Sequence, residues 1–498
     1  MSIIRLTASD GRPAEFVDQV RASGGMKDVY FSPSEKYVVA FYRNPLDEAS
    51  RERLAAITGP YRERIFNQTG GDTWRHSFCW PTATVEYQGR TGVVVPFYEA
   101  NFFFAQGSRN QDMLGIKGRE KESKWFTSAS NRARFLAPEE LGTWLSQLRV
   151  SLSLARAVRR LHAAGLAHSD LSYKNVLIDP ITGRACIIDL DGLVVPGKFP
   201  PEVVGTPDFI APEVVASQHL SKGDPARKLP SINTDLHALA TLIYMYLLLR
   251  HPLRGDNSHH EDPVQDELLA MGEQALFIEH PSNRANRVNP ANLKAYELPW
   301  KNPAQTPYTL TGPYLSQLFE RAFIDGLHNP QARPGADEWE IALVKTLDLI
   351  QPCTNTSCPQ AWYVFDNSQS PACPFCHTPY KGQLPVLNLY STWGEGSFRP
   401  DNHRLLVYSN QSLFPWHTNR DIFPNEKLTS EQKQRQAYCV LHEGQWWLVN
   451  EALPELTLVN SQTPIPIGDK IALADGQQLL FSKQKGGRLA VVQMVKGA

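Results

Sequence analysis

Residues 161–215 read LHAAGLAHSDLSYKNVLIDPITGRACIIDLDGLVVPGKFPPEVVGTPDFIAPEVV, and the reading of this stretch decides the fold. Three motifs follow one another in it. Asp170 and Asn175 stand five positions apart, Asp189-Leu190-Asp191 follows the hydrophobic pair Ile187-Ile188, and Gly205-Thr206-Pro207 leads into Ala211-Pro212-Glu213. Taken singly, each Asp or Asn pattern is turn chemistry, because these short polar side chains close back onto their own backbone. Their succession along one segment asks for more. Upstream, residues 138–165 carry Leu141, Trp144, Leu145, Leu148, Val150, Leu152, Leu154, Ala157, Val158 and Leu161, recurring at three and four, which predicts a long amphipathic helix stopped at Gly165. Earlier still, residues 38–42 and 91–96 are short β-branched or aromatic runs and predict strands. Strands come first and helices dominate afterwards, an α+β order.

Composition bounds the rest. The chain has 498 residues, roughly three domains' worth. Lys and Arg number 50 against 51 Asp and Glu, so no bulk positive field draws in nucleic acid or anionic lipid, and a nucleic-acid partner is not expected. The strongest apolar run, residues 238–249 (ALATLIYMYLLL), spans 12 residues. A bilayer span needs roughly 18 to 20, so it is predicted to be a buried core helix, and no membrane partner is expected. The N-terminal MSIIRLTASDGRPAEF lacks a cationic region followed by an apolar stretch, which makes the cytoplasm the expected location. Residues 106–134, with KGREKESK at their centre, are polar and mixed in charge and are expected to be an exposed insertion. His259-His260-Glu261-Asp262 lacks metal-ligand spacing and is read as a polar loop.

The motifs of residues 161–215 resemble the catalytic loop, magnesium-binding motif and activation-segment end of the protein kinases. Asp235 opening the apolar helix, and Arg333-Pro334 where a kinase's late Arg would pair with Glu213, extend the resemblance, which covers about residues 10–350. It implies a bilobal protein-kinase fold over residues 1–350 and transfer of the ATP γ-phosphoryl group. Such transfer needs a carboxylate at the acceptor hydroxyl, oxygen ligands for Mg²⁺ and a cation at the phosphates. By the resemblance, Asp170 orients the hydroxyl while Asn175 and Asp189 hold Mg²⁺. The context of Thr206 implies Ser/Thr rather than Tyr acceptors.

The departures are as informative. Kinases commonly carry a Lys in a Val-Ala-x-Lys strand, but here the stretch is Val39-Ala40-Phe41-Tyr42. Since side chains alternate along a strand, Tyr42 shares the face of Ala40 and points to where that Lys is absent. Aligning residues 22–30 with a kinase glycine-rich loop puts Gly24 at the second glycine and Lys27 at the third, on the face of Val29, which is expected to cover adenine beside Ala40. This is similar to the with-no-lysine kinases and implies that Lys27 neutralises the phosphates; Lys36 is the weaker rival. The helix glutamate that would pair with the lysine is sought in DEASRERLAAITGPYRERIF, where Glu52 is preferred to Glu63 because it precedes Gly59-Pro60, the expected end of that helix. Ser169 stands where many kinases have an Arg that receives an activation-loop phosphate, and residues 193–204 hold no Ser, Thr or Tyr, so activity is expected not to require phosphorylation there. Ser172 replaces a Lys near the γ-phosphate, with Lys174 two residues on. Asp191 replaces a glycine, and either adds a metal oxygen or caps a turn.

Four of the seven cysteines, Cys353, Cys358, Cys373 and Cys376, fall within 24 residues as a Cys-x4-Cys and a Cys-x2-Cys pair. Four thiolates so spaced predict a closed, structural Zn²⁺ site over residues 351–380, similar to a zinc ribbon. Beyond the linker-like HTPYKGQLP, the segments LLVYS, AYCVLHEG, QWWLVN, LTLVN, KIALADG, QQLLFS and RLAVVQMV predict short strands of a β-sandwich. Residues 385–498 faintly resemble a forkhead-associated (FHA) domain, through Leu458-Val459-Asn460 and Pro466 to Ile471. The family's Gly-Arg and Ser-x-x-His phosphate site is missing, so a docking or structural role is expected. The whole assembly resembles bacterial Ser/Thr kinases associated with a PP2C-like phosphatase and a von Willebrand-type protein, a group linked to tellurite and stress responses. That resemblance implies protein substrates and those two partners. The competing expectation is a pseudokinase scaffold that binds nucleotide or proteins without phosphoryl transfer.

Overall fold

The computed structural model describes the chain except residues 1, 202–204, 222, 298–305, 367–369, 395–396 and 498. Two units are distinguished, the first made of Met1–Gly142, Ser146–Tyr308 and Gln317–Glu340, the second of Thr143–Leu145, Thr309–Ser316 and Ile341–Ala498.

In the first unit, β1 (Ile3–Thr7) and β2 (Pro13–Val17) form a hairpin, and β3 (Val20–Ser23), β4 (Lys27–Phe31), β5 (Tyr37–Tyr42), β6 (Ala83–Tyr87) and β7 (Arg90–Pro96) form an antiparallel sheet ordered β3-β4-β5-β7-β6. The pleat sorts β5 residue by residue. Val39 and Phe41 enter a core with Phe16, Val85 and Val94, while Ala40 and Tyr42 turn to the opposite face with Leu54 and Val93. Phe16 fixes the first face by meeting Tyr30, Phe41 and Tyr87 edge-on at 5.2, 5.3 and 5.5 Å between centroids, the geometry that ring quadrupoles favour. Helix Glu48–Ala56 starts at Asp47, whose carboxylate accepts the Ser50 N–H at 2.8 Å. Gly59-Pro60 kinks this helix rather than ending it: Gly59 leaves helical dihedrals, and the chain resumes as Arg62–Phe66.

The helical part of this unit is built on the segment Ile232–Leu248, which is buried along nearly its whole length, its apolar residues from Ala238 onward enclosed all round. Its first turn is closed by the Thr234 hydroxyl, which accepts the Ser231 N–H at 2.8 Å. The amphipathic helix Trp144–Ala163 buries Leu148, Leu154, Val158 and Leu161. β8 (Val176–Asp179) and β9 (Arg184–Ile187) make a short hairpin after the catalytic-loop motif. Arg333, almost wholly buried, forks onto Glu213 at 2.9 and 2.7 Å and donates to the Asn233 carbonyl at 2.9 Å, so one guanidinium ties residue 213 to the start of the buried helix.

The exposed insertion expected at residues 106–134 is only half exposed. Lys121 is buried, its charge met by Glu140 at 3.1 Å, and Ser123, Phe126 and Arg132 are buried with it. A paired ammonium loses the cost that would otherwise keep it in water. Of the segment 193–204, which holds no Ser, Thr or Tyr, residues 202–204 lie outside the described residues.

In the second unit, hairpin Ile350–Pro352 and Trp362–Val364 precedes two antiparallel sheets, one of six strands and one of four. The longest strand, Gln383–Gly394, is flanked by Ser397–Leu406 and Arg488–Lys496, and Ala437–His442 pairs with Gln445–Asn450 in the other sheet. Leu387, Leu405 and Val492 of one sheet share a core with Cys439, Trp446 and Leu448 of the other. The cysteine segment is not separate from this body, since Cys358 and Cys373 pack with Leu384, Val386 and Leu406.

Truncating Arg333 leaves Glu213 and the carbonyls of Gly326, Asn233 and Leu327 without their partner, so Arg333→Ala is expected to cost about 3–5 kcal/mol, the loss typical when one member of a buried ion pair is removed. Urea unfolding of parent and variant measures it; a loss below about 1 kcal/mol would contradict the assignment.

Candidate active site

Pairing of β4 with β5 sets Lys27 opposite Tyr42 and Val29 opposite Ala40. Val29, Ala40, Val93 and Val95 from the sheet, with Leu190 beneath, line a largely apolar cleft of about 370 Å³ that also reaches Lys27, Asp189 and Asp191. A flat apolar slot ending in charge suits a ligand with an aromatic base at one end and an anion at the other.

At the charged end, the Lys27 ammonium lies 2.9 Å from Asp189 Oδ1 and 2.8 and 2.7 Å from the two oxygens of Asp191. Burial alone would lower the lysine, but the charges of Asp191 and Asp189 outweigh it and hold it protonated above its ordinary range. Asp191 is buried, yet the Lys27 charge and hydrogen bond, joined by a hydrogen bond donated by the Tyr42 hydroxyl, keep its carboxyl below the usual range. Asp189 adopts left-handed dihedrals, φ 58° and ψ 48°, and its side chain is 53% exposed, so its second oxygen is open to a ligand.

Lys27 is presented by a braced turn. The Gly24 N–H donates to the Lys27 carbonyl at 2.9 Å, and Arg43 donates to the Gly24 carbonyl at 2.6 Å and to Asp28 at 2.9 Å. Hydrogen bonds from Ser23, Arg43 and Arg90 bring Asp28 down to about 2.

The catalytic-loop motif is held from below by Asp235. Its carboxylate accepts the backbone N–H groups of His168 at 2.7 Å and Ser169 at 3.1 Å, which lets Ser169 keep a φ of 69°. Asp170 follows at once. One of its oxygens accepts from the Thr206 N–H at 2.7 Å and hydroxyl at 2.8 Å, and the other from Asn175 Nδ2 at 3.0 Å. Asn175 also donates to the Asp170 carbonyl at 2.8 Å, which leaves its amide oxygen as the remaining donor atom. That oxygen and the Asp189 carboxylate are hard oxygen atoms, the kind of ligand a magnesium ion prefers. Ser172 is buried and meets the Thr206 hydroxyl at 3.2 Å, while Lys174 is exposed.

Glu52 is not brought to Lys27. It sits exposed on helix Glu48–Ala56 and pairs with Lys198 at 3.2 Å, and the carboxylates on Lys27 are Asp189 and Asp191. Sequence reasoning also missed the turn brace Arg43–Asp28–Arg90, whose signal would have been a charge triplet on facing strand positions.

In the second unit the four thiols converge, their sulfur atoms all within 4.8 Å of one another. Cys353 and Cys376 stand 3.5 Å apart and Cys358 and Cys373 3.9 Å, close to the roughly 3.8 Å edge of a tetrahedron with 2.3 Å Zn–S bonds. Burial works to raise the Cys376 thiol, but hydrogen bonds with Thr378 and Cys353 bring it down to about 6.

Residues 124–335 match the family model described as the protein kinase domain. A dual serine/threonine and tyrosine protein kinase of Apis mellifera is 34% identical over 82 residues, 16% of this chain and 8% of that protein. The serine/threonine-protein kinase PknD of Chlamydia abortus is 30% identical over 166 residues, 28% of this chain and 16% of that protein. The serine/threonine-protein kinase RAD53 of Saccharomyces cerevisiae is 26% identical over 174 residues, 30% and 20% of the two chains. The chain thus spans a fifth or less of the length of these relatives. Among solved structures, a Toxoplasma gondii rhoptry antigen kinase domain aligns at a TM-score of 0.39 with 14% identity, covering 69% of this chain and 86% of that one. The chain carries a protein kinase domain, with serine/threonine kinases among its relatives.

Asp235→Ala strands two buried backbone N–H groups beneath Asp170, each costing about 1–3 kcal/mol. The variant is expected to lose about 2–6 kcal/mol of stability in urea unfolding and to exchange the His168 and Ser169 amides faster by hydrogen exchange; unchanged protection of those two amides would contradict the anchoring role.

Proposed function

We propose that this protein is an ATP-dependent serine/threonine protein kinase in which Lys27, on β4, replaces the strand lysine lost at Tyr42. The observation that carries the reading is the Lys27 ammonium set 2.9 Å from Asp189 at the charged end of an apolar cleft. Val29 and Ala40 would enclose the adenine, and Gly24 allows the backbone turn to approach the phosphates. Lys27 neutralises phosphate charge that grows in the transition state, where a fixed cation stabilises most. Asn175 and Asp189 would hold Mg²⁺, which would supply positive charge to offset that of the phosphates. Asp170 receives the acceptor hydroxyl: the Thr206 hydroxyl on its Oδ1 marks the position where a substrate hydroxyl would donate. The protein substrates are Ser/Thr-bearing.

The four thiolates suit a structural Zn²⁺, whose binding replaces four mutually crowded thiols by a closed shell. Residues 351–380 read as a zinc ribbon and residues 385–498 as a degenerate FHA-like β-sandwich, in which the shared core of the two sheets supports a docking or structural role. A stress-response setting with a PP2C-like phosphatase and a von Willebrand-type protein as partners follows from the family resemblance, and a cytoplasmic location from the N-terminal sequence. No described helix is long and apolar enough to cross a membrane.

With labelled ATP, Mg²⁺ and a generic Ser/Thr acceptor, the parent is expected to transfer label, and Asp170→Asn to lose about 10²–10⁴-fold in kcat, the usual share of a positioned acid–base group. Nucleotide binding without transfer by the parent would identify a pseudokinase scaffold instead. Phosphosite mapping is expected to find no activity dependence on phospho-Thr206, since Thr206 is buried against Asp170.

A strong chelator is expected to remove one Zn²⁺ per chain and lower the thermal stability of the Cys353–Cys376 region, read by metal analysis and by loss of amide protection there. Protein purified with zinc present yet holding none would contradict the site.

A further inference from the structure

Two substitutions that look like separate losses meet at one point. Tyr42 fills the place of a strand lysine, and Asp191 fills the place of a glycine after Asp189. In the fold the Tyr42 hydroxyl donates to Asp191 Oδ2, and Asp191 grips the Lys27 ammonium with both oxygens, at 2.8 and 2.7 Å. The Lys27 ammonium also lies 5.4 Å from the centre of the Tyr42 ring.

We infer that Asp191 is the positioning residue for Lys27, doing from the metal-binding motif what a helix glutamate does elsewhere, with Tyr42 as the clamp that fixes its carboxylate. The inference rests on the kinase reading of the site. Three observations support it beyond the contact. The Asp191 side chain is only 7% exposed against 53% for Asp189, so Asp191 faces the lysine while Asp189 stays open to a ligand. A two-oxygen grip fixes the ammonium's position more closely than the single 2.9 Å contact of Asp189. Glu52, the glutamate of helix Glu48–Ala56 that the sequence put forward for this role, is engaged by Lys198 on the surface. When Asn175 and Asp189 turn to Mg²⁺, Asp191 is the carboxylate left to Lys27. The lysine then has one fixed partner behind it and the phosphates in front.

The arrangement explains why a strand lysine can be absent. A lysine on β5 at position 42 would compete with Lys27 for Asp191 and crowd a second ammonium beside the first. Tyrosine offers a neutral donor of similar reach, and its ring face tolerates the neighbouring cation. Asp191, Tyr42 and Lys27 are therefore one unit, and their effects must be non-additive.

The test is a double-mutant cycle on the full chain, reading the Kd of Mg·ATP by calorimetry and kcat and KM for ATP in the transfer assay. Asp191→Asn and Lys27→Met are each expected to weaken Mg·ATP binding and kcat/KM by about 10–100-fold, and the double variant by no more than the worse single. Asp191→Glu is expected to recover part of the loss. Tyr42→Phe, which keeps the ring and guards against a variant that fails to fold, is expected to lose about 3–10-fold, and nothing further in the Asp191→Asn background. Losses that multiply in the double variant would overturn the inference and make Asp191 merely structural. A raised Mg²⁺ requirement in Asp191→Asn that persists unchanged with Lys27→Met would overturn it in favour of a metal ligand. A parent that binds Mg·ATP without transferring phosphate would defeat the proposed function alone, because coupling in Kd still decides the role of Asp191; a parent that binds no nucleotide defeats both.

Discussion

The site depends on a lysine held by aspartates contributed from the far side of the cleft. Lys27 is placed by β4, Asp189 and Asp191 by the turn after β9, and the pairing joins the two walls of the cleft. A buried ammonium is costly unless it is matched, and here it is matched by two carboxylates and steadied by a tyrosine hydroxyl. Each neighbouring feature serves that match. The turn before Lys27 is braced by Arg43 and Asp28, β5 supplies Tyr42 on the correct face, and the left-handed Asp189 turns Asp191 inward.

A second constraint governs the catalytic loop. Asp170 and Asn175 lie in a segment with little regular structure, and it is the buried Asp235 that fixes its backbone by accepting two amides. Asp235 in turn lies in the first turn of helix Ile232–Leu248, which the apolar run 238–249 carries into the core. The same helix start takes a hydrogen bond from Arg333, which reaches Glu213. The loop, the activation-segment end and the core helix are thus one hydrogen-bonded body, and a loop without local periodicity acquires a defined shape.

Much of this was legible in the sequence, for reasons that differ by residue. Alternation along a strand told that Tyr42 and Ala40 share a face, because the pleat has a period of two and nothing else need be known. The buried helix was legible because an unbroken apolar run has no other stable place in water. Glu52 was misleading, since helix position says which face a glutamate occupies but not how far that face stands from another strand. Asp191 was ambiguous between a metal oxygen and a turn cap, because its partner Lys27 lies 164 positions away and no local pattern encodes that meeting. Lys121 looked solvated because composition does not reveal a partner, and Glu140 made its burial affordable. Strand Gln383–Gly394 was hidden because it begins in Gln383-Leu384-Pro385, where proline and glycine nearby read as linker, although it is a long strand of the larger sheet, paired on both sides.

The central claim is that Lys27 is the lysine at the nucleotide phosphates. An acyl-phosphate derivative of ATP delivers its acyl group to the amine nearest the phosphates, and peptide mass spectrometry then locates the label. Acylation of Lys27, suppressed by excess Mg·ATP, is the expected result. Nucleotide-protected labelling of Lys36 or Lys174, with Lys27 unmodified, would contradict it.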